Sequence, residues 1–481
     1  MAMINDDSKL LAGVARAEIS PSPGMRLAGS LRDTRSQAVH QELTTSAVYL
    51  CEDGCAVVII AIDLIMLPPE DARQLREEIG HAIGVPAENV LVGLSHSHAT
   101  PSPIGWKEHD YEASPEERSA VVDYFARLTR CTIEMAQKAK AAARPARLAS
   151  GSGSSDININ RREQRADGTI ILGRNPDGPV DHEVGVIRID DTSGAPIAVV
   201  FNYGCHPDVL GPKSSLISPD LVGPARNVVE ATSDVVSVFL QGACGDIYPV
   251  SGIVNGDDGV DEAERLGHRL GAEVLRVSET LRTHRAPAKR AEWVSAALNV
   301  TTNWFYGDIP PPTGRQLAAA SIVVQMPLRQ MPSREEAMAL VETRASERAD
   351  LPHAAPMSAR LIASRRLAWA QLQLQAIEDQ MPGTLPVEVQ ALRIGDAVIL
   401  AVPGELFAEI GMAMKQRSPF ANTLVAGCTN GVYFYIPTKA AFAQGGYEIN
   451  SHQNYMRPTG PTADWEDILL RTASTLTERL A

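Results

Sequence analysis

Short apolar runs alternate with amphipathic stretches along most of the chain, and this alternation constrains the fold more than any other feature. In the first third, TTSAVYLC and AVVIIAIDLIML read as strands, PPEDARQLREEIGHAIG as a helix with proline near its start, ENVLVGLSH as a strand and SPEERSAVVDYFARLTRCTIEMAQKAKAAA as a long helix. The texture returns in the strands EVGVIRID, PIAVVFNYGCH and VVSVFLQGA and the helices DLVGPARNVVEATS and DEAERLGHRLGAEVLRVSETLRTH. It returns again in VEVQALRIG, AVILAVPG and NTLVAGCTN, with the helix ELFAEIGMAMKQR. Such alternation predicts an α/β fold. Residues 306–385 break the pattern: after the loop GDIPPPTG, charged and Ala-rich segments read as two helices, a helical insertion or lid in what is otherwise one domain over 1–481.

Composition narrows the function classes. With 44% apolar and 21% charged residues the chain is an ordinary globular protein, and a net charge of -14 argues against a nucleic-acid partner. The longest apolar run, residues 56–66, falls well short of the ~20 residues of a spanning helix and contains Asp63, so no integral membrane segment is expected. The N-terminal MAMINDDSKLLAG is acidic where a secretory signal is basic, which predicts a cytoplasmic protein. Six cysteines form no C-x-x-C pair. In CEDGC the Asp-Gly turn predicts that Cys51 and Cys55 face each other across a hairpin, and in a reducing compartment they stay thiols. A small-molecule substrate is the expected partner, and homo-oligomerisation is left open.

The chemistry-bearing residues cluster at strand ends. GLSHSHATPSP, residues 93–103, carries two of the chain's 11 histidines. On an extended chain His96 and His98 share a face about 6.6 Å apart, at about 3.3 Å per residue. One metal can take one of them directly with the other close by; equally, both can simply hydrogen-bond at a strand end. PIAVVFNYGCHPDVL also ends in a histidine, His206, and α/β sheets bind ligands at the ends of their strands. AVILAVPGELF puts Glu405 at the expected start of a helix, where the macrodipole alone favours a carboxylate.

Seven motifs, in order over nearly the whole chain, resemble the catalytic domain of neutral (non-lysosomal) ceramidases, zinc amidases that split the N-acyl bond of ceramide. NVLVGLSHSHATPSP is similar to their T-H-T-H-S-G-P-G stretch, DININR to N-x-N-R-S-P, and FNYGCHP to their second-histidine strand. LISPDLVGPA resembles I-S-x-D-N-K-G-Y-A, QGACGDIYP resembles G-D-V-S-P-N, AVPGELF matches V-P-G-E-F, and GVYFYIPTKAAFAQGGYE matches Y-x-x-Y-x-T-x-x-E-Y-x-x-Q-x-Y-E. The resemblance implies a mixed β-sheet core flanked by helices and one Zn²⁺ per chain, held by His96, His206, Glu405 and Tyr435. It further implies His98 as proton carrier, Arg161 as a substrate-facing cation, Tyr447 as a phenol near the reacting carbonyl, and Asp63 as a partner orienting a ligand histidine. Two imidazoles, a carboxylate and a phenolate suit zinc's preference for N and O donors.

The chain also departs from that pattern. Ceramidases continue into a C-terminal β-sandwich where this sequence stops soon after GPTADW, so no such sandwich is expected. The histidine loop reads ATPSP, Tyr248 replaces the serine of G-D-V-S-P, and Arg162-Glu163 replace Ser-Pro after N-x-N-R. Added polar groups at Arg162, Glu163, Tyr248 and Arg174 predict a small, polar, soluble substrate with an amide, ester or lactone carbonyl in place of a long-chain sphingolipid. The leading expectation is a zinc hydrolase. A lyase or isomerase that uses the same metal on a carbonyl metabolite is the alternative; a binding protein with a closed zinc is weaker, because such sites are usually Cys-rich.

Overall fold

A computed structural model of the chain describes residues 10–29, 34–102, 114–232, 234–254, 258–291, 303–352 and 354–481. Pro103 and the acidic residues 1–9, both used in the sequence reading, lie outside the described residues.

The upstream apolar runs form β1 (Leu10–Glu18), β2 (Thr44–Glu52), β3 (Cys55–Ile62), β4 (Val90–Leu94), β5 (Arg144–Ser154), β6 (Glu183–Asp191), β7 (Pro196–Tyr203) and β8 (Val236–Gln241). These make one eight-stranded mixed sheet in the order β8-β7-β6-β5-β1-β2-β3-β4. Its parallel pairs are β3 with β4 and β7 with β8. Downstream lie β9 (Leu317–Pro327), β10 (Thr384–Ile394), β11 (Ala397–Ala401), β12 (Glu405–Leu406), β13 (Asn422–Ala426) and β14 (Tyr435–Ile436). A second sheet runs β9-β10-β11-β13 with its last pair parallel, and β12 pairs in parallel with β14.

β2, β3, β4, β7 and β8 are covered on both faces, which is why they read as unbroken apolar runs instead of alternating ones, while β1 and β5 are only partly buried. On β3, Val58 and Ile60 pack under α1 (Pro69–Ile83) and α2 (Pro115–Ala141), while Val57 and Ile59 meet Leu392, Ile399 and Leu424 of the second sheet. Toward β7 and β8 the helix layer is α3 (Val222–Glu230) and α4 (Val260–Thr280). Beyond α5 (Arg334–Ala349) and α6 (Met357–Glu378), the outer face of the second sheet is closed by α7 (Ala408–Arg417) and α8 (Trp465–Leu480) around the fully buried Trp465. The layers therefore run helix, sheet, sheet, helix. Local sequence fixes the helix ends: Ser114 and Glu117 form a capping box before α2, Ser333 and Glu336 do so before α5, and Gly84 closes α1 in the left-handed region.

Three sequence expectations need correction. Asp53 and Gly54, both at positive φ, form the hairpin turn, but the register pairs Glu52 with Cys55 and Cys51 with Ala56. Residues directly opposite share a face and neighbours along a strand alternate, so the two thiols point to opposite sides of the sheet. Glu405 is not in a helical first turn: it sits on β12, three residues before α7 begins. Residues 306–385 hold the eleven-residue strand β9, paired along its whole length with β10, in addition to α5 and α6. Among the described residues no helix is long and apolar enough to cross a membrane.

Candidate active site

The site lies where the parallel pairs end. His96 follows β4 by two residues, His206 follows β7 by three, and Glu405 follows β11 by four, so the C-terminal ends of strands from three parallel pairs deliver all three to one place. The extended H-x-H expected from sequence is not how the histidines meet. The strand stops at Leu94, and His96 sits at φ 65°, a left-handed conformation unusual for a side-chain-bearing residue and concentrated at functional sites. The turn is held by the His96 amide on the Leu64 carbonyl at 2.9 Å, and the His96 and His98 ring centroids end up 5.3 Å apart.

Backbone carbonyls set the tautomers. His96 Nδ1 lies 2.7 Å from the Ile65 oxygen, and His206 Nδ1 lies 2.7 Å and 3.0 Å from the oxygens of Cys244 and Ile247. A carbonyl oxygen only accepts, so each Nδ1 carries the hydrogen and each neutral ring turns the lone pair of Nε2 outward. Both Nε2 atoms face the same carboxylate oxygen, Glu405 Oε2, at 3.3 Å and 3.2 Å. Neither His96 Nε2 nor Glu405 Oε2 has a hydrogen-bond partner among the described residues, and the three side chains are 2%, 0% and 1% exposed. Arg161 Nη1 lies 3.4 Å from His206 Nε2, while His96 Nε2 and Glu405 Oε2 face each other without a donor, and lone pairs facing lone pairs in a dry interior demand positive charge. The titration directions say the same. Burial raises the Glu405 carboxyl, yet the two imidazoles hold it well below the usual range. Burial and Arg161 oppose charge on His206, but Cys244 and Glu405 carry it up to about 10. A divalent ion meets the same demand, and this donor set fits one.

The remaining residues sort by position. Tyr435, buried on β14, lies opposite Glu405 in the β12 pairing and stacks on the His206 ring at 6.5 Å. Glu405 Oε1 accepts from the Tyr455 hydroxyl. His98 has ring centroids 5.3 Å from His96 and 5.6 Å from His206, and its Nδ1 is 3.2 Å from Asp208 Oδ2. Burial lowers its pKa against the pull of Asp208. A side chain at Gly29 would strike this ring, since a Cβ there would lie 2.5 Å from His98 Nδ1, and the φ of 76° suits glycine. Arg161, 2% exposed, comes from the hairpin strand Asn158–Gln164; its Nε donates to Glu448 at 3.0 Å, and its guanidinium lies over the rings of Tyr248 at 4.7 Å and Tyr435 at 5.3 Å. Tyr447 is 43% exposed at the mouth, its hydroxyl accepting from Asn454 Nδ2.

A cavity of about 370 Å³ opens above these groups. His96, His98, Arg161, Asp208, Tyr248, Glu405, Tyr435, Tyr447 and Tyr455 line its polar part, and Leu27, Ile65, Met66, Leu172, Ile253, Leu361 and Ile362 its larger apolar part. Two residues expected at the site are elsewhere. Arg162 does not line the cavity: it donates to the other oxygen of the same Glu448 carboxylate at 2.7 Å and to the Gly445 carbonyl at 2.8 Å, and the pairing of its strand is irregular between Asn160 and Arg162. Asp63 neither lines the cavity nor orients a site histidine: Arg226 and Thr44 occupy its carboxylate, and the Ile65 carbonyl orients His96 instead. Asp208, Tyr455 and Glu448 were missed. Asp208 stands two residues after His206 and Glu448 directly after Tyr447, so both were adjacent to recognised motifs; nothing local marks Tyr455.

No family model matches the chain. Neutral ceramidase A of Dictyostelium discoideum is 24% identical over 273 residues, a match spanning 51% of this chain but only 37% of that protein's length. The solved neutral ceramidase from Pseudomonas aeruginosa superposes with a TM-score of 0.64 at 18% identity, covering 98% of this chain and 75% of that one. A structure described as ceramidase complexed with C2 gives 0.66 at 18% identity, covering 98% and 76%. The motif resemblance is thus borne out, and the chain is neutral-ceramidase-like, with that enzyme's mixed α/β fold.

Proposed function

We propose that the chain is a zinc-dependent hydrolase that adds water across the carbonyl of an amide, ester or lactone. The observation that carries this reading is the convergence of His96 Nε2 and His206 Nε2 on Glu405 Oε2 at 3.3 Å and 3.2 Å in a dry interior, where His96 Nε2 and Glu405 Oε2 have no hydrogen-bond partner among the described residues. In this reading His96, His206, Glu405 and Tyr435 hold one Zn²⁺ per chain. When bound there, zinc lowers the pKa of a water to about 7 and polarises an acyl oxygen.

The chain's own residues do the rest. Asp208 accepts from His98 Nδ1 and leaves Nε2 as the basic atom, which takes the water's proton and returns it to the leaving nitrogen or oxygen. His98 is suited to this because burial disfavours its charged form, keeping the ring neutral and ready to accept. Arg161 and Tyr447, at the cavity's polar end, stabilise the oxyanion or hold a polar substituent. Tyr248 fills space beside Arg161 and narrows the cavity.

The cavity volume is near the lower end of the roughly 300–1,000 Å³ range of small-molecule sites, which supports a small substrate. Its apolar wall adds to the expectation of polarity: one end of the substrate, on this reading the acyl part, is hydrocarbon. The test is a screen of short N-acyl amides, esters, lactones and ceramide vesicles with zinc-loaded protein in ¹⁸O-water. Label in the released acid supports hydrolysis. Turnover without label means a lyase or isomerase, and ceramide outpacing every short substrate overturns the small-substrate part.

A further inference from the structure

Beneath the polar cluster lie two thiols that the proposed reaction does not use. Cys244 follows β8 and Cys428 follows β13, so they are delivered by the same parallel-strand geometry that delivers the histidines. Both are fully buried. Their sulfurs and a ring nitrogen of His96 lie within 4.8 Å of one another. Two buried thiols in an apolar core are ordinary on their own, as Cys205 is among the side chains around Phe201. Here they share space with the buried His96 imidazole, whose Nε2 has no hydrogen-bond partner among the described residues.

We infer that Cys244, Cys428 and His96 form a second, soft metal site that competes with the proposed zinc centre for His96. Zn–S bonds of about 2.3 Å and Zn–N bonds of about 2.0 Å place the ligands of a tetrahedral ion roughly 3.5–3.8 Å apart, so closure needs shifts of about 1 Å or less. Thiolates select soft and borderline ions such as Cu(I), Zn²⁺ and Cd²⁺, whereas the His, Glu and Tyr donors opposite favour harder company. His96 Nδ1 is held by the Ile65 carbonyl, leaving Nε2 for either set. The two occupancies therefore exclude each other, and a thiophilic ion withdraws His96 from Glu405 and His206. The site shares His96 with the zinc centre proposed above, but the thiols carry it independently of what that centre catalyses.

The probe is Cd²⁺, titrated into metal-free protein and followed by thiolate-to-cadmium absorption in the ultraviolet, with bound cadmium counted by dialysis. The expected result is a band in wild type and in Glu405→Gln that falls at least tenfold in Cys244→Ser and in Cys428→Ser. A band that survives both serine variants comes from other cysteines and overturns the site. Cadmium bound without any band overturns the site while leaving the hydrolase reading intact, and absence of any binding overturns both. Should a serine variant fail to fold, cadmium-edge X-ray absorption of wild type decides: sulfur neighbours support the site and an all-N/O shell removes it.

Discussion

The floor and the rim of the cavity are built on opposite principles. On the floor, His96, His206 and Glu405 hang from the ends of parallel strands, are almost fully buried, and have their ring orientations fixed by backbone carbonyls. At the rim, Tyr447 is 43% exposed, and Leu361, Ile362 and Arg365 come from α6, outside the two sheets. A floor whose geometry is fixed by the backbone suits chemistry that tolerates little displacement. A rim carried by an appended helix can vary without disturbing that geometry, and the proposed function assigns substrate choice to it.

Substitutions can break this contrast, beginning with the largest effect. Glu405→Gln should remove bound zinc and lower kcat/KM by at least about 10³-fold, since the carboxylate balances two imidazoles and, in the proposed centre, supplies a ligand. Asp208→Asn should keep the metal but lower kcat about 10- to 100-fold with KM little changed, the usual range for losing a group that orients a catalytic partner. Ile362→Ala at the rim should raise KM about threefold to tenfold for an apolar acyl substrate, from lost contact area, and leave kcat within about twofold. If the rim variant lowers kcat as much as Asp208→Asn, the division into chemical floor and selective rim fails.

A stability measurement sharpens the same comparison from outside the cavity. Asp63 and Arg226 form a buried pair at 2.8 Å, remote from the metal donors in bonding though Asp63 is one residue from the segment that holds His96. Arg226→Ala leaves that carboxylate uncompensated and should cost about 3–5 kcal/mol in denaturant unfolding. Zinc content per folded molecule should not change; a matching loss of zinc would mean that Asp63 supports the centre after all.

How much of this was legible in the sequence depends on range. Periodicity found β2, β3, β4, β6, β7 and β8 of the large sheet and most helices, because unbroken apolar runs and amphipathic spacing are local signals; β1 and the polar, glycine-containing β5 carry no such run and were not read as strands. His96, His206, Glu405 and Tyr435 were reached through a resemblance of motifs, and the structure brings them together. What failed needed geometry. The φ of 65° at His96 is invisible in GLSHSH, so the extended H-x-H reading misjudged how the rings meet. Arg162 was assigned to the cavity, but Glu448 and the Gly445 carbonyl, 286 and 283 residues away in the chain, hold its guanidinium outside the lining. Asp63 stood beside the right segment but was claimed by Arg226, 163 residues away in the chain. Cys51 and Cys55 flank the right turn, and a shift of one register position puts them on opposite faces.

The division of labour between His96 and His98 is the centre of the functional reading, and zinc stoichiometry tests it most directly. Zinc per chain and turnover are measured together in wild type, His96→Ala and His98→Ala. His96→Ala should lose the metal and all turnover, while His98→Ala should keep about one zinc per chain and lose turnover by about 10²- to 10⁴-fold, the range for a removed general base. Equal loss of zinc in both variants, or in neither, would contradict the assignment of one histidine as ligand and the other as proton carrier.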